Sequence, residues 1–289
     1  MIESFRFVNH GNGSILDFND DEVPFNELVI ERVRRLDKRE RSRQHGLWPS
    51  YQYYGEMILR ATGDILMQDS AGYNQKRLDM QKVLVPAPHL GEHHIGRLEI
   101  QFTGLEEMYA ECTLDGDPEL PMEGLGPSRG AYMIPWLSFD PAFYSTTEYT
   151  ATLGTPSLTG GRTYPKTYPE TYSVLVGSND VLVENLGSFR TFPRIEIYGP
   201  VTDPTLSLVH LGHSFDWTLH GLTIPDGDFA MVDFKERTVV SDESGSDWYD
   251  FAEGTWWAIE PGENTITFSA FSAASPSEAM VMWENAYIF

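Results

Sequence analysis

Residues Phe192–Leu208 read FPRIEIYGPVTDPTLSL, and the reading of this stretch decides the fold. In Arg194–Tyr198 isoleucines alternate with charged residues, the period-two pattern of a strand with one buried face. Tyr198-Gly199-Pro200 ends it, because proline withdraws an amide donor and glycine opens the backbone to turn conformations. Leu206–Leu211 then begins a second apolar run. The pattern continues towards the C-terminus: Asp216–Ile224, Phe229–Phe234, Thr238–Val240, Trp256–Ile259, Asn264–Phe268 and Met280–Tyr287 predict strands, separated by turn signals such as Pro225-Asp226-Gly227 and Pro261-Gly262. Strands so closely spaced, with no helical period between them, predict an antiparallel sandwich or jelly roll.

Upstream, Ser145–Thr171 is rich in Thr, Gly, Pro and Tyr and carries no sustained apolar period, so it reads as an extended connection. Within it each proline of Thr163–Tyr172 biases the preceding residue towards β or polyproline backbone. Before this connection Met57–Ala61, Asp64–Met67, Arg97–Phe102 and Ala131–Leu137 predict strands. At 289 residues the chain exceeds the usual single-domain size. The expected division is 1–165, including a linker near 145–165, and 166–289. The 25 Gly, 18 Pro and 13% aromatic residues suit a loop-rich β protein, and long helices are not expected.

Composition excludes several classes of function. A net charge of −23, spread over both halves, repels phosphate backbones and argues against nucleic-acid binding. No apolar run approaches the roughly 18–20 residues that span a bilayer, and no secretory leader pattern opens the chain; a soluble protein made in a cytoplasm is expected. The single cysteine, Cys112, permits neither an internal disulfide nor a cysteine zinc cage, and is expected to be a small buried hydrophobe.

Catalytic signals are weak. His89, His93 and His94 cluster with Glu92, a zinc-like ligand set, but without the H-x-x-x-H or H-E-x-x-H spacing that places two imidazoles on one helix face. Neither G-x-S-x-G nor a phosphate loop occurs, and Gly124-Leu125-Gly126 lacks the helix that must follow it. The abundant carboxylates guarantee some pair at glycosidase spacing by chance. Trp217, Trp248, Trp256, Trp257 and Trp283 sit in or beside strand patterns, where core packing is the expected role. The reading is therefore no enzyme, no cofactor and no metal.

One island breaks the acidity. Arg32 to Arg43 holds seven Lys or Arg against Asp37 and Glu40. It reads either as a solvated loop or short helix, or as a contact element facing an acidic surface on a neighbouring copy.

Phe192–Leu208 resembles the opening of the C-terminal domain of siphovirus-type phage tail components, in particular the distal tail protein family. Downstream, Asp226-Gly227-Asp228-Phe229 with Val232-Asp233 and Arg237-Thr238-Val239 is similar to that domain's next strand pair. Trp256 with Pro261-Gly262-Glu263-Asn264-Thr265-Ile266-Thr267-Phe268 is similar to its Pro-Gly hairpin. In the first half, Trp136–Tyr144 and Ile58–Ile65 resemble elements of the family's N-terminal domain.

The resemblance implies an all-β protein, with an N-terminal ring-forming β-barrel-like domain and a C-terminal galectin-like β-sandwich (jelly roll). The implied role is a virion protein of the tail tip: a ring homo-oligomer, a hexamer, that joins the tail tube protein to hub and tip proteins and supports receptor-binding parts. For the ring contact the candidates are Arg34, Arg35, Arg39, Arg41 and Arg43 on one copy against Asp17, Asp20, Asp21 and Glu22 on the next. The alternative is a carbohydrate-binding protein using the galectin-like domain, although no H-x-N-x-R run is present and His210-Leu211-Gly212-His213 is not its equivalent.

Overall fold

The chain folds as two compact units, residues 1–146 and 147–287. They are seen in a computed structural model that describes residues 2–11, 13–36, 39–40, 47–48, 52–85, 96–120, 129–154, 157–159, 174–176, 179–242, 245–273 and 277–289.

In the first unit the strands are β1 (Ile2–Asn9), β2 (Ile15–Asp17), β3 (Phe25–Leu36), β4 (Arg39–Glu40), β5 (Leu47–Trp48) and β6 (Gln52–Leu66). After helix α1 (Ser70–Leu84) come β7 (Gly96–Phe102), β8 (Glu107–Leu114), β9 (Arg129–Ser138) and β10 (Phe143–Ser145). The main sheet is antiparallel, in the order β2-β1-β7-β8-β9-β6-β3 with β10 beside β8, and β4 pairs with β5. Alternation along β1, β6 and β9 buries Phe5 and Phe7, Met57, Leu59 and Ala61, and Ile134 and Trp136. Phe5 stacks on Phe18 at 4.6 Å and meets Trp136 edge-on at 6.4 Å. Three strand spacings separate β1 from β9, about 14 Å in a flat sheet, so that contact requires the sheet to curl around its core. Among the described residues no ladder joins the end strands β2 and β3.

Three local outcomes differ from the expectations. Gly63 does not break a strand, and β6 runs unbroken. A Cβ there would lie 2.3 Å from the Pro24 carbonyl oxygen and 2.3 Å from Tyr132 Oη, so the glycine marks a close approach of backbone and side chain. The helix α1 is 15 residues long. Its buried stripe is only Tyr73, Met80 and Leu84, with Arg77 and an exposed Leu78 between, too narrow to register as a helical period. Asp69 caps it by accepting from the Gly72 amide at 2.8 Å. Finally, Arg32–Leu36 is neither loop nor short helix but the end of β3, because the strand pairs with β6 as far as Leu36, across a bulge between Arg32 and Arg34.

The second unit holds β11 (Tyr149–Gly154), β12 (Ser157–Thr159), β13 (Val174–Val176), β14 (Asp180–Asn185), β15 (Arg194–Tyr198), β16 (Val201–His210) and β17 (His213–Leu219). It continues with β18 (Thr223–Ile224), β19 (Phe229–Asp233), β20 (Thr238–Ser241), β21 (Ala252–Gly254), β22 (Gly262–Ala273), β23 (Glu278–Trp283) and β24 (Ala286–Tyr287). Two antiparallel sheets, β11-β23-β15-β19-β20 and β14-β22-β16-β17-β21, face each other. One contributes Ile195, Ile197, Val232 and Val281 to the shared core, and the other Leu206, Leu208, Trp217, Ile266 and Phe268. This is the predicted sandwich. Tyr149–Gly154, read from sequence as part of the connection, pairs along its length with β23, and residues 160–173 lie outside the described residues. Trp256–Ile259 is not a strand beyond the Ile259–Thr191 bridge. Trp257 is buried and Trp256 packs against Trp217 and Phe234 at 5.3 and 5.4 Å, and consecutive side chains turned to one core break the alternation of a strand. Asp216–Ile224 is interrupted at Gly221, where φ is +77°.

Candidate assembly surfaces

The residues that carry the resemblance hold the fold together. Asn264 donates through Nδ2 to the Glu260 and Gly262 carbonyl oxygens at 2.8 and 2.9 Å, and its Oδ1 accepts from the Glu260 amide at 3.2 Å, so one buried side chain closes the Pro261-Gly262 turn. Asp203 sits at φ +49° and accepts from the Gly221 amide at 2.6 Å. Asp228, buried, accepts from Ser241 Oγ at 2.9 Å. In the first unit Asp140 accepts from the Ala142 amide at 3.0 Å and from Tyr144 Oη at 2.8 Å. Trp217, Trp257 and Trp283 are buried, and Trp248 and Trp256 are partly buried against the same core. All of these groups are committed to structure.

β3 pairs with β6 on one side, and among the described residues no strand occupies its other side. It is a 12-residue edge with register shifts between Phe25 and Glu27 and between Arg32 and Arg34. Charges and bulges of this kind guard an edge against indiscriminate pairing. At its far end Val33 and, on β6, Tyr53 and Tyr54 are exposed, and the Arg34 guanidinium lies over the Tyr54 ring at 5.7 Å, Tyr and Arg being residue types enriched at binding hot spots.

The charged candidates separate. Arg34 and Arg35 lie at that far end, Asp17 on β2, and Asp20, Asp21 and Glu22 in the turn that enters β3. From Phe25 to Arg34 the strand advances roughly 30 Å at ~3.3 Å per residue, so one copy cannot pair them with each other. Several already have partners within the chain. Arg35 bonds Glu56 at 3.0 Å, and Lys76 of α1 reaches Asp20 at 3.1 Å and Glu22 at 2.7 Å. The Asp20 carboxyl is held below its usual range, first by the Glu22 amide and then by Lys76. Arg39 lies on β4 with its side chain outside the described residues; Arg41 and Arg43 lie outside them altogether, as do His89, His93 and His94. Among the described residues no group of three or more His, Cys, Asp or Glu is placed to hold a metal, and no helix is long and apolar enough to cross a membrane. Cys112 is buried, its thiol pushed well up by burial.

One outer face of the sandwich offers little to a sugar. The outward side chains of β16 and β22 include Thr205, Ser207, Thr265 and Thr267, alternating with the fully buried Leu206, Leu208, Ile266 and Phe268. At the adjoining turn the His210 ring bonds the Glu263 carbonyl oxygen at 3.1 Å. The carbohydrate-binding alternative is not favoured.

No family model matches the sequence, and no curated protein matches it. Among solved structures, the chain superposes on the Dit protein of phage SPP1 with a TM-score of 0.59 at 13% identity, covering 98% of this chain and 99% of that one. The fold is that of a phage Dit protein. The SPP1 Dit is described as a paradigm of the hub adsorption apparatus in phages that infect Gram-positive bacteria. A chain of the phage P2 baseplate in its activated conformation with calcium gives a TM-score of 0.45 at 12% identity, with 98% of each chain covered. The Dit fold, matched end to end, accounts for both units of the chain.

Proposed function

We propose that the chain is a structural subunit of a phage tail tip. The N-terminal unit closes a homo-oligomeric ring, expected to be a hexamer, that joins tail tube to hub proteins, and the C-terminal sandwich supports receptor-binding parts. The observation that carries this reading is the match to the SPP1 Dit fold over 98% of one chain and 99% of the other, which is more than one shared domain. The open edge of β3 supports it physically. A ring repeats one heterologous contact until it closes, and closure would cover the unpaired side of this strand. The polar residues of the described surface serve docking and solubility, and the chain has no catalytic role.

Negative-stain imaging of the purified protein, with mass spectrometry of purified virions, tests this reading. Discrete rings and a virion-associated chain are expected. A chain that stays monomeric at high concentration and is missing from virions would overturn it.

A further inference from the structure

The first unit contains a groove of about 680 Å³ lined by Asn26, Thr62, Gly63, Glu119, Leu120 and Met133. A register row of its lining crosses the sheet, Thr62 opposite Met133 and Met133 bridged to Glu119, and Glu27 flanks that row opposite Thr62, beside the lining residue Asn26. A carboxylate therefore stands at each end of a short apolar and hydroxyl floor. Among the described residues neither Glu27 nor Glu119 has a cation within salt-bridge distance, while the neighbouring Asp64 is already satisfied by Arg129 at 3.0 Å and Asn26 at 3.2 Å. Asn26 is the extra residue of the β3 bulge, a device that re-aims side chains near binding sites.

The groove sits at one end of the β3 edge, and Arg34 sits at the other. Arg34 is exposed, has no carboxylate partner among the described residues, and is held over Tyr54. Glu27 and Arg34 are seven residues apart on one strand, roughly 23 Å at ~3.3 Å per residue, beyond the reach of an arginine side chain. The acidic groove of one copy can therefore meet the basic end of β3 only on another copy.

Resting on the assembly reading above, we infer that the groove between Glu27 and Glu119 is the receptor for the Arg34–Tyr54 pair of the neighbouring copy. The volume takes both side chains, the guanidinium lies between the carboxylates, and the ring of Tyr54 covers Met133 and Leu120. This replaces the acidic turn as the main acceptor, since Asp20 and Glu22 are engaged by Lys76. The two ends of one edge then form a directional, head-to-tail contact, as a closed ring requires.

Reciprocal charge reversal tests the contact in the full-length protein, with sedimentation velocity over a range of concentrations and thermal melts as the control for folding. Arg34→Glu and Glu119→Arg are each expected to raise the concentration needed for assembly about tenfold or more, and the double variant to recover most of that loss. Should Glu119→Arg fail to fold, Glu119→Gln is expected to weaken assembly several-fold with an unchanged melt. A wild type that forms rings alongside single variants that assemble equally well, or a double variant no better than either single one, overturns the contact and leaves the ring standing. A wild type that is monomeric throughout overturns both.

Discussion

Single side chains carry much of this fold, and Asn264 is the clearest case. It is buried and satisfies three backbone groups around one turn. Asn264→Ala strands those groups, so a loss of about 1–3 kcal/mol is expected in denaturant unfolding; an unchanged midpoint would show that water replaces the amide. Ionic residues set the acid limit. Arg129 first, then Asn26, hold the Asp64 carboxyl below its usual range, and Asp20 is shifted the same way. A carboxylate whose folded pKa is depressed contributes stability in full above the unfolded pKa, and that contribution disappears as pH falls through the folded one. Thermal melts should therefore hold steady from neutrality to mildly acidic pH and drop below the ordinary carboxylate range. Asp64→Asn should flatten that drop, and a variant with the wild-type pH profile would remove Asp64 as a cause. The sequence displayed Asn264 and Asp64 plainly but not their partners: Asp64 meets Arg129 from 65 positions away, and local patterns do not encode such pairings.

β1 and β8 alternate regularly without having been read as strands, so burial alone did not decide which elements were legible. β15 and β19, with one face in the core, alternate cleanly and were readable. β3 was not, because Leu28-Val29-Ile30 places apolar side chains on both faces and all three are only half-buried, as befits an edge that lacks a neighbour. The two-faced pattern that hid the strand is the same one that suits it to assembly. Val33 is exposed on this edge at 38%, so Val33→Lys should leave the monomer's stability within about 0.5 kcal/mol while weakening self-association, because an edge lysine opposes strand pairing. Unaltered association in sedimentation would remove the edge from the interface. Helix α1 shows the opposite limit. Its three buried residues make too thin a stripe to be seen, and replacing its cap, Asp69, by Ala should lower stability by about 0.5–2 kcal/mol in the same unfolding assay.

Across the whole molecule, the composition, the turn signals and the strand spacing made the all-β architecture readable, whereas the groove opposite Arg34 depends on a bulge and a bridge that no spacing reveals. The charge of −23 also has a collective effect. Copies repel one another over distances that salt screens, with a Debye length of about 10 Å at 0.1 M, while close pairs such as those proposed at the groove are screened much less. Raising salt from low to moderate concentration should therefore favour assembly of the wild type in light scattering, and assembly that weakens steadily with salt would mean that local attraction outweighs the global repulsion. The chain's lone thiol has a practical consequence of its own. Because Cys112 is sealed in the core and reluctant to ionise, a cysteine engineered on the surface becomes the one readily labelled site per copy. Stepwise photobleaching of a dye attached there would count the subunits in a single particle directly.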